Sequence, residues 1–286
     1  MALNKYSIVR LSAVDSTNRY ARDEAAALWK NRGTGDFAVV TAGHQTAGRG
    51  QRGNTWNSNA GENLLFSILV RPGGSLEVKK QFLLSQAVAI ALHNAMKCYG
   101  IDTQLKWPND IYVGNRKLAG ILLELDYAGA FVEQAIIGIG LNVNQTHFPP
   151  MDKVPVSMKM LWEAEREKQR EDFILDDVLA TVLDFFEHYY AELRYGNREA
   201  IAAEYKERLL GINTQHTFID KNGCFEGVIR GVEDDGHLII HRKDGSTGRY
   251  AFKEVEMVFN PSCHYPPPSR GVALHVVSTT TKGGEA

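Results

Sequence analysis

Arg49 and Arg52 stand three residues apart in the run Gly48-Arg49-Gly50-Gln51-Arg52-Gly53. Each guanidinium can make forked contacts to carboxylate or phosphate oxygens. Trp56 follows closely and can stack on a base or pack in a core. The run matches G-x-G-x-x-G, but a dinucleotide fingerprint must join a strand to a helix and be followed by an acid about 20 residues on. Here Asn54-Thr55-Trp56-Asn57-Ser58-Asn59 follows, and Arg71-Pro72-Gly73-Gly74 stands where the acid is needed. No G-x-x-x-x-G-K-[ST] occurs either. Two readings stay open for this stretch alone: an anion-binding loop, or a surface loop with incidental arginines.

Other positions offer further chemistry. Lys106, Asn109 and Asp110 flank Trp107-Pro108, an extended turn that can gather phosphate and magnesium, with Asp110 as an oxygen ligand. An Asn-Asp turn that stabilises itself fits equally. In the run 116–127, alternation puts Lys117 with Ala119, Ile121, Leu123, Leu125 and Tyr127, and Gly120 on the opposite face. A lysine ending an apolar face either finds an anion or snorkels to water. In 131–143, Gly138, Gly140 and Asn142 share a face, which leaves room for a ligand or for a packed helix. His237 and His241 lie in a strand-like run without further ligands, so no metal is assigned to them.

The elements that must position these residues follow from pattern. A helix is expected from about Thr17 to Asn31, with Asp15, Ser16 and Thr17 as capping candidates. Phe37 to Thr41 reads as a strand. Residues 43–61 hold five glycines and no acid, and read as a long loop. Leu64 to Val70 is apolar on both faces except at Ser67, as a central strand would be. A buried helix is expected over 76–97, strands over 103–106, 116–127 and 131–143, a charged stretch from Glu163 to Asp172, and helices near 174–194 and 197–209. Past Gly211 the pattern changes to short runs broken at Asn222-Gly223, Asp234-Asp235-Gly236 and Asp244-Gly245, the signature of a small β-barrel. The expected organisation is a catalytic domain over 1–210, a barrel over 211–260 and a mobile tail over 261–286.

Composition bounds the function. The 286 residues include 32 Lys and Arg against 34 Asp and Glu, a formal charge of −2. The barrel segment is also acidic by two, so a basic nucleic-acid surface is disfavoured. Three scattered cysteines fit neither a zinc site nor a disulfide scaffold. No apolar run is long enough for a membrane span, and the charged N-terminus is unlike a signal peptide. A soluble cytoplasmic protein without nucleic-acid or membrane partners is expected.

Five motifs occur together: Asp15-Ser16-Thr17-Asn18; Gln45-Thr46-Ala47-Gly48-Arg49-Gly50 with Trp56; Lys106-Trp107-Pro108-Asn109-Asp110; Arg116-Lys117-Leu118-Ala119-Gly120-Ile121-Leu122; and Gly138-Ile139-Gly140-Leu141-Asn142-Val143-Asn144. In order and spacing the set resembles the biotin protein ligases over roughly residues 8–260. The resemblance implies an α+β chain: a mixed-sheet catalytic domain of the biotin/lipoate ligase type, then an SH3-like barrel. It implies ATP, Mg²⁺ and biotin as reactants, biotinyl-AMP as intermediate, and a lysine of a biotin carboxyl carrier domain as acceptor, in a monomer or homodimer. By the same resemblance, Lys117, Arg49 and Arg52 are catalytic. Biotin falls to Ser16, Thr17, Asn18, Gln45, Gly48, Arg49, Gly50, Gln51, Lys117 and Gly120. ATP falls to Arg52, Trp56, Lys106, Asn109, Asp110 and Asn142, with Asp110 also the candidate Mg²⁺ ligand.

At Gln51 the chain departs from a family pattern that often has arginine, so weaker retention of the adenylate is expected. The first motif begins too early to leave room for the winged helix that some members carry, so a ligase without repressor function is expected. The alternatives are a lipoate or octanoate ligase or transferase of related fold, and a non-enzymatic binding module or regulator.

Overall fold

Leu64–Val70 is buried at all seven positions, the environment that its apolar sequence requires on both faces. In the computed structural model, which describes residues 3–33, 35–151, 153–168 and 171–259, this segment is the third strand of a seven-stranded mixed sheet. The strands are β1 (Ile8–Leu11), β2 (Phe37–Ala42), β3 (Leu64–Val70), β4 (Gln104–Lys106), β5 (Asp110–Val113), β6 (Arg116–Ala128) and β7 (Phe131–Leu141). Their spatial order is β1-β2-β3-β7-β6-β5-β4. Only β1 and β2 run parallel; the other neighbours are antiparallel.

Helices cover the two faces. α1 (Thr17–Asp23) and α2 (Ala25–Asn31) lie over β2, β3 and β7, where Ala21, Ala25 and Leu28 meet Ala38, Val40, Leu69 and Ile136. The single helix expected there breaks at Glu24, whose φ of −98° and ψ of 12° are not helical. The opposite face carries α3 (Phe82–Cys98), α5 (Leu175–Tyr195) and α6 (Arg198–Glu207). α3 is buried from Phe82 to His93, which explains its nearly uniform apolar composition. It starts later than expected because residues 73–75 and 78–80 form separate single turns.

Three elements escaped the sequence pattern. β1 and β5 are four residues each, too short to show alternation. α4 (Met158–Arg166) enters the stretch read as merely charged, with the Ser157 hydroxyl accepting from Met160 N at 3.2 Å.

The second sheet comprises β8 (Gln215–Asp220), β9 (Gly223–Val232), β10 (Leu238–Arg242), β11 (Thr247–Tyr250) and β12 (Val255–Val258), ordered β11-β10-β9-β8-β12. All its pairings are antiparallel, consistent with an SH3-like domain. The expected turns are all present. At Gly236 and Gly245, φ values of +93° and +87° make glycine the natural occupant. This sheet is fastened to the first through Trp107, whose Nε1 donates to Gly236 O at 2.8 Å. Phe252 meets Trp107 edge-on at 5.3 Å and lies 6.1 Å from Phe82. The tail 261–286 lies outside the described residues, as does Cys263.

Candidate active site

A cleft of about 1500 Å³ runs between the two sheets, above the roughly 300–1,000 Å³ of common small-molecule sites. Its floor is the α1 side of the large sheet near β6 and β7. Its other wall is the barrel.

Lys117 enters this cleft because β6 is irregular. Ile111 pairs with Ala119, but the next residue, Tyr112, pairs with Lys117. Leu118 is therefore an extra residue, a β-bulge that reverses the side-chain alternation on one side of it. Leu118 and Ala119 both go into the core, and Lys117 comes round to the face of Gly120. Its Nζ lies 3.1 Å from where a Gly120 Cβ would stand. The strict alternation that separated Lys117 from Gly120 is thus corrected by the bulge. Nζ also reaches Asp110 Oδ1 at 2.7 Å and lies 5.5 Å from the Trp56 ring centroid.

The glycine-rich loop is closed upon itself. Trp56 N donates to Gly48 O at 3.0 Å, and Gly50 N to Asn54 O at 2.7 Å. A Cβ on Gly48 would approach Trp56 O to 2.4 Å; that closure is what requires glycine at this position. The Trp56 indole lies against Gly140, whose added Cβ would meet Cε2 at 2.3 Å. Its Nε1 is buried and has no partner. Arg49 extends to Glu124 at 3.4 Å. Gln51 lines the cleft. Arg52 belongs to the single turn Gln51–Gly53, and its side chain is outside the described atoms.

The start of α1 forms one polar corner. Gln45 Oε1 accepts from Thr17 N at 2.8 Å and Thr17 Oγ1 at 3.1 Å. Ser67 Oγ lies 2.6 Å from Asn18 Oδ1 and 2.8 Å from Thr17 Oγ1. Asn18 Nδ2 donates to Glu124 Oε2 at 3.1 Å. Ser16 occupies the N-cap position without a side-chain cap and lines the cleft. These buried hydroxyls and amides can read a polar, uncharged ring.

The opposite corner is cationic. Asp110 is 7% exposed and faces Lys117 through one oxygen and Lys153 at 3.7 Å through the other. The Lys106 ammonium lies 5.4 Å from the Tyr112 ring and 5.7 Å from the Phe259 ring. Burial, assisted by the positive charge of Lys153, pushes Lys106 down to about 8. Asn109 Nδ2 donates to Ile121 O, which fixes the turn after Pro108. Such a corner suits phosphate oxygens.

Residues 12–142 match the Biotin/lipoate A/B protein ligase family. A biotin–[acetyl-CoA-carboxylase] ligase of Paracoccus denitrificans is 31% identical over 258 residues, covering 87% of this chain and 99% of that protein. The chain belongs to the biotin protein ligases. The bifunctional ligase/repressor BirA of Bacillus spizizenii is 30% identical over 238 residues, 83% of this chain and 70% of that protein. In fold, a biotin protein ligase from Aquifex aeolicus, solved with biotin and ATP, superposes with a TM-score of 0.68 at 24% identity, covering 88% of this chain and 98% of that one.

Against the motifs of a biotin protein ligase, the structure brings Ser16, Thr17, Asn18, Gln45, Arg49, Gly50, Gln51, Trp56, Lys106, Asn109, Asp110, Lys117 and Gly120 to one cleft. Three readings change and one open alternative is decided. Asn142 is buried, and its Nδ2 donates to Val156 O at 3.1 Å and Lys117 O at 3.4 Å; it clamps backbone behind the site. Gly48 shapes the loop rather than lining the cleft. The bare faces of Gly138 and Gly140 are filled by the chain's own Asn18 and Trp56. Asp110 lies 2.7 Å from the Lys117 ammonium and 3.7 Å from that of Lys153; among the described residues the one cluster of three metal-ligand side chains is Glu233, Asp235 and His237 on the barrel, where Arg249 already pairs with both acids. A carboxylate facing two ammoniums does not by itself make a resident Mg²⁺ site.

Sequence reasoning missed Ser67, Glu124 and Lys153. Ser67 did carry a signal, as the one polar residue in an apolar strand. Glu124 follows Gly120 and Leu122 on one face of β6. Lys153 lies in no motif.

Proposed function

We propose that this ligase activates biotin with ATP and transfers it to a lysine of a carrier domain. The observation that carries the reading is the approach of the Lys117 ammonium to the Gly120 backbone beside Trp56, with the polar α1 corner on one side and the Lys106–Lys153 corner on the other. In the first step a biotin carboxylate oxygen bonds to the α-phosphorus of ATP, and the bond to pyrophosphate breaks. Both reactants are anions, so positive charge must offset their repulsion and the charge of the transition state. Lys117 would hold the carboxylate, and Lys106 the phosphates. Ser16, Thr17, Asn18 and Gln45 would hydrogen-bond the ureido ring.

In the second step the acceptor lysine's neutral amine attacks the acyl carbon and AMP leaves. The amide forms and the amine's proton goes to solvent or phosphate. No side chain of the protein need form a covalent bond, so the chain contributes positioning and electrostatics. Closure of the loop 43–57 would keep water from the adenylate. Mg²⁺ would travel with ATP. The described residues include no helix long and apolar enough to cross a membrane, and the exposed free thiols of Cys98 and Cys224 suit a reducing cytoplasm.

The test is incubation with biotin, ATP, Mg²⁺ and a biotin carboxyl carrier domain, followed by mass measurement of the carrier. One added biotinyl group is expected. An unmodified carrier, together with pyrophosphate exchange stimulated by lipoate and not by biotin, would sink the reading.

A further inference from the structure

Lys153 reaches the cleft from the segment between β7 and α4. That segment is docked along β6: Lys117 N donates to Val154 O at 2.8 Å, and Val156 N to Lys117 O at 2.9 Å. Asn142 holds it from behind through Val156 O. The backbone that presents Lys117 therefore also delivers Lys153.

At 3.7 Å from Asp110 Oδ2 the Lys153 ammonium is beyond hydrogen-bonding distance. Its side chain remains 45% exposed and lines the cleft. Lys117, by contrast, is tied to the other oxygen at 2.7 Å and is 22% exposed. Lys106 lines the same cleft, and the positive charge of Lys153 helps burial to lower its pKa. Three ammoniums, of Lys106, Lys117 and Lys153, thus converge here against the carboxylates of Asp110 and Glu256. Like charges gathered around a partly buried point oppose one another until an anion joins them. The loosest of the three has the most freedom to follow that anion.

We propose that Lys153 is a further substrate-binding residue, contacting the phosphate chain of ATP beside Asp110 Oδ2. The inference rests on the reading of this cleft as a biotin-adenylating site. Lys153 supplies positive charge where the leaving pyrophosphate develops, while Lys117 stays with the carboxylate on the glycine face. Asp110 sits between them and keeps the two ammoniums apart before substrates arrive.

The experiment is biotin-dependent exchange of labelled pyrophosphate into ATP, with Lys153→Met and Lys153→Arg beside the unaltered protein. Lys153→Met should raise the KM for ATP about tenfold, while Lys153→Arg stays within about twofold. Biotin affinity without ATP, read by calorimetry, should be the same in all three. An unchanged KM for ATP in Lys153→Met would overturn the proposal. So would an equal loss of biotin and ATP affinity that arginine fails to restore, because that would mark a structural role. Absence of biotin-dependent exchange in the unaltered protein would strike the adenylation reading itself.

Discussion

Lys117 meets Asp110 at 2.7 Å across the β5–β6 pair because one extra residue, Leu118, turns the strand between them. Asp110 is paired in register with Gly120, and Tyr112 with Lys117. Without the bulge the lysine would face the apolar core, where an ammonium is costly.

Lys117→Ala should therefore lose activity by on the order of 100-fold or more, since it removes charge at the transition state. It should also destabilise the fold by about 1–3 kcal/mol, as Asp110 keeps only the distant Lys153. Biotin-dependent pyrophosphate exchange and denaturant unfolding check the two effects. Near-wild-type exchange would refute the role.

Lys106 gives the site a pH limit. Its ammonium, faced by Asp110, Lys117, Lys153 and Glu256, is depressed to about 8, so it is charged below that pH and neutral above it. The kcat/KM for ATP, which reports the free enzyme, should fall as pH rises through about 8. Lys106→Arg should shift this fall to higher pH. The linked stability runs the opposite way: between about 8 and the unfolded value of 10.5 the unfolded chain binds more protons, so this group's contribution improves as pH rises. A profile that keeps the same midpoint in Lys106→Arg would remove Lys106 from the account.

Gly140→Ala tests the seat of Trp56. The new Cβ would stand 2.3 Å from the indole, and relieving that overlap should cost about 1–3 kcal/mol. Tryptophan emission should shift relative to the parent, and the shift should vanish when both proteins carry Trp56→Phe. Unchanged stability and emission would show that the indole does not rest there.

Gln51 lines the cleft as a neutral amide. Gln51→Arg adds a forked cation beside the adenylate and should slow its escape. In the absence of carrier, free biotinyl-AMP collected by rapid filtration should decrease several-fold. Equal release from both proteins would dismiss position 51 as the weak point.

The sequence by itself determined much of this protein. β3 was legible because burial on both faces demands an unbroken apolar run, and the barrel because its turns use residues suited to tight φ values. The acid-free glycine loop and the ordered motifs brought together most of the residues on the large-sheet side of the cleft. Those features depend on local propensity, burial and spacing, which a chain carries in its own order.

Only the tertiary structure decided where the side chains point. The bulge at Leu118 arises from pairing with β5, not from β6 alone, and it moved Lys117 to the other face. The face of Gly138 and Gly140 left room for a ligand or for a packed helix, and packing from α1 and the loop gave that space to Asn18 and Trp56. Asn142 was read as a ligand contact and became a backbone clamp, since its partner Val156 lies fourteen residues onward. Lys153 was invisible for the same reason: its chemistry comes from Asp110, which only folding brings within reach.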